Sequence, residues 1–146
     1  CRVSELEKAR VAVGLGVDGS ASNDCSNLIQ EVRQAFLLQR LHNGSNVTHL
    51  DALRWATEGG ANVLGRPELG KIAEGMQADL ALFKLDELRF SGNGDPLAAL
   101  VICGAHHADR VMVAGKWIVE NSRIPGLDLE QLQAQHQQEA KRLLTK

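Results

Sequence analysis

Asp18 is the residue best placed to do chemistry. It follows the apolar run Val11-Ala12-Val13-Gly14-Leu15-Gly16-Val17 and opens the polar stretch Gly19-Ser20-Ala21-Ser22-Asn23-Asp24. A carboxylate at the point where a buried strand gives way to a loop can ligate a hard or borderline cation. It can also accept a proton from water held by that cation. In α/β barrels this end of the strands carries the chemistry. An aspartate so placed can equally well cap its own loop through Ser20 or Ser22. Spacing alone does not separate the two roles.

Other residues invite chemistry and support it less well. Gly14-Leu15-Gly16-Val17-Asp18-Gly19 matches the G-x-G-x-x-G dinucleotide pattern. That pattern binds pyrophosphate when its glycines form a tight turn opening directly into a helix. Here the first two glycines lie inside the apolar run, and no helix is expected before about Asn27. Gln39 and Arg40 stand where an acidic residue is expected ~20 positions onward. The pattern is read as a decoy. Cys103-x-x-His106-His107 offers at most three metal ligands and has no second cluster, so a structural or surface role is expected. Cys25 stands just before the helix at Asn27, where a thiol can be acidified, but no base accompanies it. His49 beside Thr48 reads as a first-turn helix residue, Asp79 as the residue preceding a strand, and Trp55 and Trp117 as packing residues. Ser20, Asn23 and Asp24 can line a substrate pocket or simply order their loop.

The elements that must hold Asp18 follow from hydrophobic period and punctuation. The run Val11–Val17 suits a strand buried on both faces, as in a parallel sheet. After the loop, Leu28, Ile29, Val32, Ala35, Phe36 and Leu41 repeat at helical spacing up to Asn43-Gly44. Thr48 with Asp51 resembles a capping box, and the helix it opens is expected to break at Gly59-Gly60 and resume to Leu64. Beyond Gly65 the helical period is lost. Strands are expected at Leu80–Phe83 and as a hairpin of Arg110–Ala114 with Lys116–Glu120, and short and long helices at Pro96–Ile102 and Leu127–Leu144. A lone parallel strand has unpaired edges and two open faces, so the first 64 residues read as the tail of a larger α/β structure.

Composition agrees with a folded domain. The chain has 146 residues, 44% hydrophobic and 23% charged, with a formal net charge of -2. Lys and Arg are scattered, which argues against nucleic acid. No apolar run approaches the ~20 residues of a membrane span. Three cysteines without metal-knuckle spacing argue against a disulfide framework, and a cytoplasmic location is expected. The chain begins at Cys1 with no methionine, so a preceding segment is expected.

Four segments, in order, resemble the amidohydrolase superfamily in its deaminase branch: Gly14 to Asp24, Ala56 to Gly65, Gly70 to Leu80, and Val111 to Asn121. That branch contains guanine and 8-oxoguanine deaminases and triazine hydrolases, and the text around Asp18 and around Cys103 to His107 looks most like 8-oxoguanine deaminases. The resemblance implies an α/β fold, the C-terminal part of a metal-dependent (β/α)8 barrel with part of a small β-sandwich. Residues 1–64 would end the barrel, 65–125 would form part of the sandwich, and 126–146 the terminal helix.

By the same resemblance, Asp18 is both a metal ligand and the acid/base of a hydrolytic deamination that releases ammonia from a purine or related aminated heterocycle. Zinc is the implied metal, with iron used in related enzymes, and the whole protein is implied to be a homo-oligomer. The family's other ligands are histidines on earlier strands. His42, His49, His106, His107 and His136 all follow Asp18 and match none of those positions. With one of about four ligands, the chain is expected to be inactive by itself. A non-catalytic scaffold, a triazine aminohydrolase and a nucleotide-binding module are the rival readings.

Overall fold

The computed structural model describes residues 1–19, 21–23 and 25–145. Helix α1 (Val3–Lys8) leads into an extended segment and the Asp18 loop, and α2 (Leu28–Asn43) follows. Asn27 starts α2 by accepting the Ile29 N–H on Oδ1 at 3.1 Å. Glu31 in the first turn and Arg40 and His42 in the last suit the helix dipole. The helix stops at Gly44, whose φ of 57° suits glycine. Ile29, Val32 and Phe36 form its buried stripe.

The capping box is present at the next helix. Thr48 Oγ1 accepts the Asp51 N–H at 3.3 Å and Asp51 Oδ2 accepts the Thr48 N–H at 2.8 Å. From there α3 (His49–Arg54), a π-helical turn (Trp55–Gly59) and α4 (Gly60–Leu64) run on without a break. The expected interruption at Gly59-Gly60 is absent, because both residues hold helical dihedrals, with φ of -61° and -59°. Their role is close approach. A Cβ on Gly59 would lie 2.3 Å from the Val13 carbonyl oxygen, and one on Gly14 would lie 2.9 Å from Gly60 Cα. The extended segment therefore lies backbone to backbone on this rod, and Leu15 N–H donates to the Trp55 carbonyl at 3.3 Å. That bond falls where the π turn loosens the regular helical ladder.

The expected strand Val11–Val17 is not a strand here. Val13 and Leu15 pack on the core, yet Val11 is 49% exposed and the segment joins no ladder among the described residues. A parallel strand takes its hydrogen bonds from neighbours on both edges. Among the described residues the three strands pair only with one another. Leu80–Leu82 (β1), Arg110–Val113 (β2) and Lys116–Val119 (β3) form an antiparallel sheet in the order β1-β2-β3, with Ala81 opposite Val111 and Val113 opposite Lys116. A register shift lies between Val111 and Met112. The β2–β3 turn puts Ala114 and Gly115 at φ of 49° and 78°, the hand that fits a two-residue hairpin. Trp117, expected to pack, is 39% exposed on this sheet, with the Arg110 guanidinium 5.8 Å from its ring centroid.

Helix α5 (Pro96–Ile102), capped by Asp95, brings Val101 into one core with Val3, Ile29, Val32, Phe36, Val47, Ala52 and Trp55. Phe90, Ala99 and Ala105 make a smaller cluster beside it. Helix α6 (Leu129–Leu144) ends the described chain and buries none of its residues.

Candidate active site

Asp18 stands at the end of the extended segment that Gly14 and Leu15 fix to the helical rod. Its backbone is left-handed, with φ of 62°, a conformation that non-glycine residues rarely hold and that clusters at functional sites. The side chain is exposed, and Oδ1 accepts the Gly19 N–H at 2.6 Å. The adjacent amide thus steadies one oxygen of the carboxylate.

The loop beyond Asp18 is ordered by its own polar groups. The Gly19 carbonyl accepts the Ser22 and Asn23 N–H groups, both at 2.9 Å, and the Ser22 hydroxyl at 3.0 Å. Asn23 donates from Nδ2 to Glu31 Oε1 at 2.8 Å and accepts the Cys25 N–H on Oδ1 at 3.1 Å. Of the two roles considered for Asn23, the ordering of the loop is the one visible. Ser20 and Asp24 lie outside the described residues.

The five histidines are dispersed. His42 is on α2 and exposed, His136 is on α6 and exposed, and His106 and His107 are exposed beyond α5. His49 is engaged elsewhere, with Nε2 3.3 Å from Asp95 Oδ2. Among the described residues no group of three or more His, Cys, Asp or Glu side chains is arranged to hold a metal ion, so Cys103, His106 and His107 do not make a zinc site. Cys1, Cys25 and Cys103 are free thiols. For a zinc ion, Asp18 offers the right donor chemistry, an exposed carboxylate, but the described residues supply no ligands to complete a set of about four. The glycine pattern fails as a nucleotide cradle, because Gly14 packs on Gly60 and the next helix after the pattern begins only at Leu28.

Several polar anchors had no local signal in the sequence. Glu7 Oε1 accepts from Trp55 Nε1 at 3.0 Å and from Arg54 Nη2 at 2.9 Å, joining residues 47 and 48 positions apart. Asp95 accepts the Leu97 and Ala98 N–H groups while meeting His49. The Ala98 amide, then His49 and the Leu97 amide, hold its carboxyl below the ordinary aspartate value against a slight desolvation. Asp51 is pushed up by partial burial, yet the Thr48 amide and hydroxyl and the Arg54 charge bring it below its ordinary value. Asp79 is structural, as expected: its Oδ1 accepts the Ala114 N–H at 2.6 Å and so holds the hairpin turn.

Comparison with known proteins sets this geometry in a family. The amidohydrolase family model matches residues 2–118. The 8-oxoguanine deaminase of Pseudomonas aeruginosa is 57% identical over 145 residues, covering 99% of this chain and 32% of its own. A crystal structure of an amidohydrolase from a Sargasso Sea environmental sample superposes with a TM-score of 0.90 at 35% identity, over 98% of this chain and 34% of the other. An adenosine deaminase from Xanthomonas campestris with bound zinc superposes with a TM-score of 0.89 at 31% identity, over 100% and 34%. The chain thus spans about a third of the length of these relatives. With a family match over most of its length and an α/β fold shared with solved members, this chain belongs to the amidohydrolase family.

Proposed function

We propose that the chain contributes Asp18 and its supporting helices to a metal-dependent hydrolytic deaminase acting on a purine or related aminated heterocycle, with 8-oxoguanine as the first substrate to test. The single observation that carries this reading is the 57% identity to an 8-oxoguanine deaminase across the whole chain, including the segment that holds Asp18. In this reading residues 1–64 end a (β/α)8 barrel, 65–125 form part of a small β-sandwich and 126–146 form a terminal helix. Residues 11–17 would gain their strand partners from the rest of that barrel, and the whole protein would be a homo-oligomer.

Asp18 serves two purposes in the proposed reaction. It is one ligand of a zinc site whose remaining ligands lie outside this chain. When bound, zinc supplies Lewis-acid chemistry, lowering the pKa of water and stabilising developing negative charge. Water adds to the ring carbon that bears the amino group, and the Asp18 carboxylate takes up its proton. The proton then passes to the leaving nitrogen, the C–N bond breaks and ammonia departs, and the remaining hydroxyl proton moves to the adjacent ring nitrogen as the ring carbon becomes a carbonyl. A carboxylate positioned for such transfer contributes about 10²–10⁴-fold. Its left-handed backbone supports the role, since such conformations cluster at active sites.

The test is the Asp18→Asn substitution in the protein that carries these residues together with the upstream histidines. Deamination of 8-oxoguanine, followed by ammonia release, is expected to fall by about 10²–10⁴-fold. Activity within a factor of two of the parent would reject Asp18 as the acid/base. The rival scaffold reading rests on the lack of a three-ligand group among the described residues. It predicts no ammonia release by either protein.

A further inference from the structure

The turn that follows α5 lies far from Asp18 in sequence and is not used by the proposed chemistry, yet it is fastened to the helix that closes the Asp18 loop. Three α2-side residues, spaced by three so that they share one helical face, reach it. Asn27 donates from Nδ2 to the His106 carbonyl at 3.0 Å, Gln30 Nε2 lies 3.4 Å from His106 Nδ1, and Arg33 donates from Nε to the Ile102 carbonyl at 3.0 Å. Gly104, with φ of 70°, brings the turn close enough that a Cβ there would meet Arg33 Cδ at 3.9 Å. Arg89 donates from Nη1 to the Gly104 carbonyl at 3.3 Å from the other side. The turn is thus held from two elements.

From this clamp a short series of hydrogen bonds leads back to the carboxylate. Glu31, on the next position of α2 after Gln30, holds Asn23 at 2.8 Å. The Asn23 N–H donates to the Gly19 carbonyl at 2.9 Å, and the Gly19 N–H donates to Asp18 Oδ1 at 2.6 Å. The described residues between Asp18 and Asn27 form no helix or strand, and besides the Gly19 turn they are held to α2 through Asn23 and Glu31. Loosening the clamp would let the start of α2 move relative to residues 102–106, and with it the support of Asp18.

We propose that Asn27, through its bond to the His106 carbonyl, is a positioning residue for Asp18, and that the turn at residues 102–106 is part of the apparatus that sets where the Asp18 carboxylate stands. This rests on the deaminase reading for its catalytic consequence and on geometry alone for its structural one. Asn27 has two separable tasks, since Oδ1 caps α2 while Nδ2 makes the clamp. Serine caps a helix about as well as asparagine but lacks the second donor and the reach. Asn27→Ser therefore removes the Asn27–His106 bond of the clamp, leaves those of Gln30 and Arg33, and keeps the cap.

The experiment uses the protein that carries this chain with its upstream segments, and compares it with Asn27→Ser and with His107→Ala, an exposed neighbour that makes none of these bonds. Amide hydrogen exchange is followed at Ser22 and Asn23, whose N–H groups form the Gly19 turn, together with steady-state kinetics on 8-oxoguanine. Asn27→Ser is expected to speed exchange at both amides about tenfold and to lower kcat about tenfold with KM within about twofold. Its helical content should match that of the parent, and His107→Ala should match the parent throughout. Unchanged exchange in Asn27→Ser overturns the clamp, whether or not the protein is a deaminase. Faster exchange with unchanged kcat overturns the link to Asp18. A parent that releases no ammonia, with exchange still accelerated, would instead sink the deaminase reading and leave the clamp standing.

Discussion

Helices α2 and α6 have sixteen residues each, and each begins at an Asx side chain that accepts a backbone N–H, Asn27 in one and Asp128 in the other. Each has an acidic residue in its first turn and basic residues in its last. By local rules they are the same object. Yet α2 buries Ile29, Val32, Phe36 and Gln39, and α6 buries nothing. The apolar residues of α6, Leu129, Leu132, Leu143 and Leu144, are 48–86% exposed. Caps and propensity suffice to make a helix; whether it contributes to a core depends on what faces it.

Substitution in the two helices should separate sharply. Phe36→Ala removes a ring from the main core and is expected to cost about 3–5 kcal/mol, read as a large fall in the denaturation midpoint. Leu132→Ala, near the start of α6, removes an exposed side chain and is expected to stay within ~0.5 kcal/mol. Equal effects at the two positions would mean that α6 is packed after all, and would erase the contrast.

The caps sharpen the comparison at a finer scale. Asp128→Ala is expected to cost about 1 kcal/mol of local helix stability, seen as faster exchange of the first-turn amides of α6. The main cooperative transition should stay where it is, because no core residue depends on α6. A shift of the whole transition by Asp128→Ala would show that the end of the chain is coupled to the core.

Acid provides the smallest effect, and it falls on the packed side. Asp51 and Asp95 are both held below their ordinary values. Their folded pKa values lie below the unfolded ones, so their contribution is present above the unfolded aspartate value of about 3.9. It is lost as pH falls through the lower, folded values. The α3 and α5 caps should therefore weaken below about pH 4, and Asp51→Asn should flatten the fall of the midpoint in that range. An unchanged slope would mean that the Thr48 bonds do not distinguish the charged carboxylate.

Much of the helical framework was legible because its signals are local. Thr48 and Asp51 reciprocate across one turn, Gly44 terminates α2 at a positive φ, and Ala114-Gly115 closes the β2–β3 hairpin at positive φ. The candidate site was legible as a position. Asp18 is marked by the change from apolar run to polar loop, although its left-handed backbone is not. Less visible were the features that depend on distant partners. Gly59 and Gly60 read as a helix break because glycine is a poor helix former, and only the approach of Val13 and Gly14 reveals why they are there. Trp117 reads as a packing residue by type, but its sheet leaves that face open.

The sequence by itself determined the helix starts, the hairpin turn, the membership of a family and the residue with the best claim to chemistry, because each is carried by a few residues in contact along the chain. Tertiary structure decided three other matters. It made one continuous rod of residues 49–64, left Val11–Val17 extended without strand partners, and joined α2 to the His106 turn. Each is a relation between segments distant in the chain, where backbone must meet backbone or a donor must find an acceptor. No local preference encodes such a meeting, because its energy exists only when the second segment is in place.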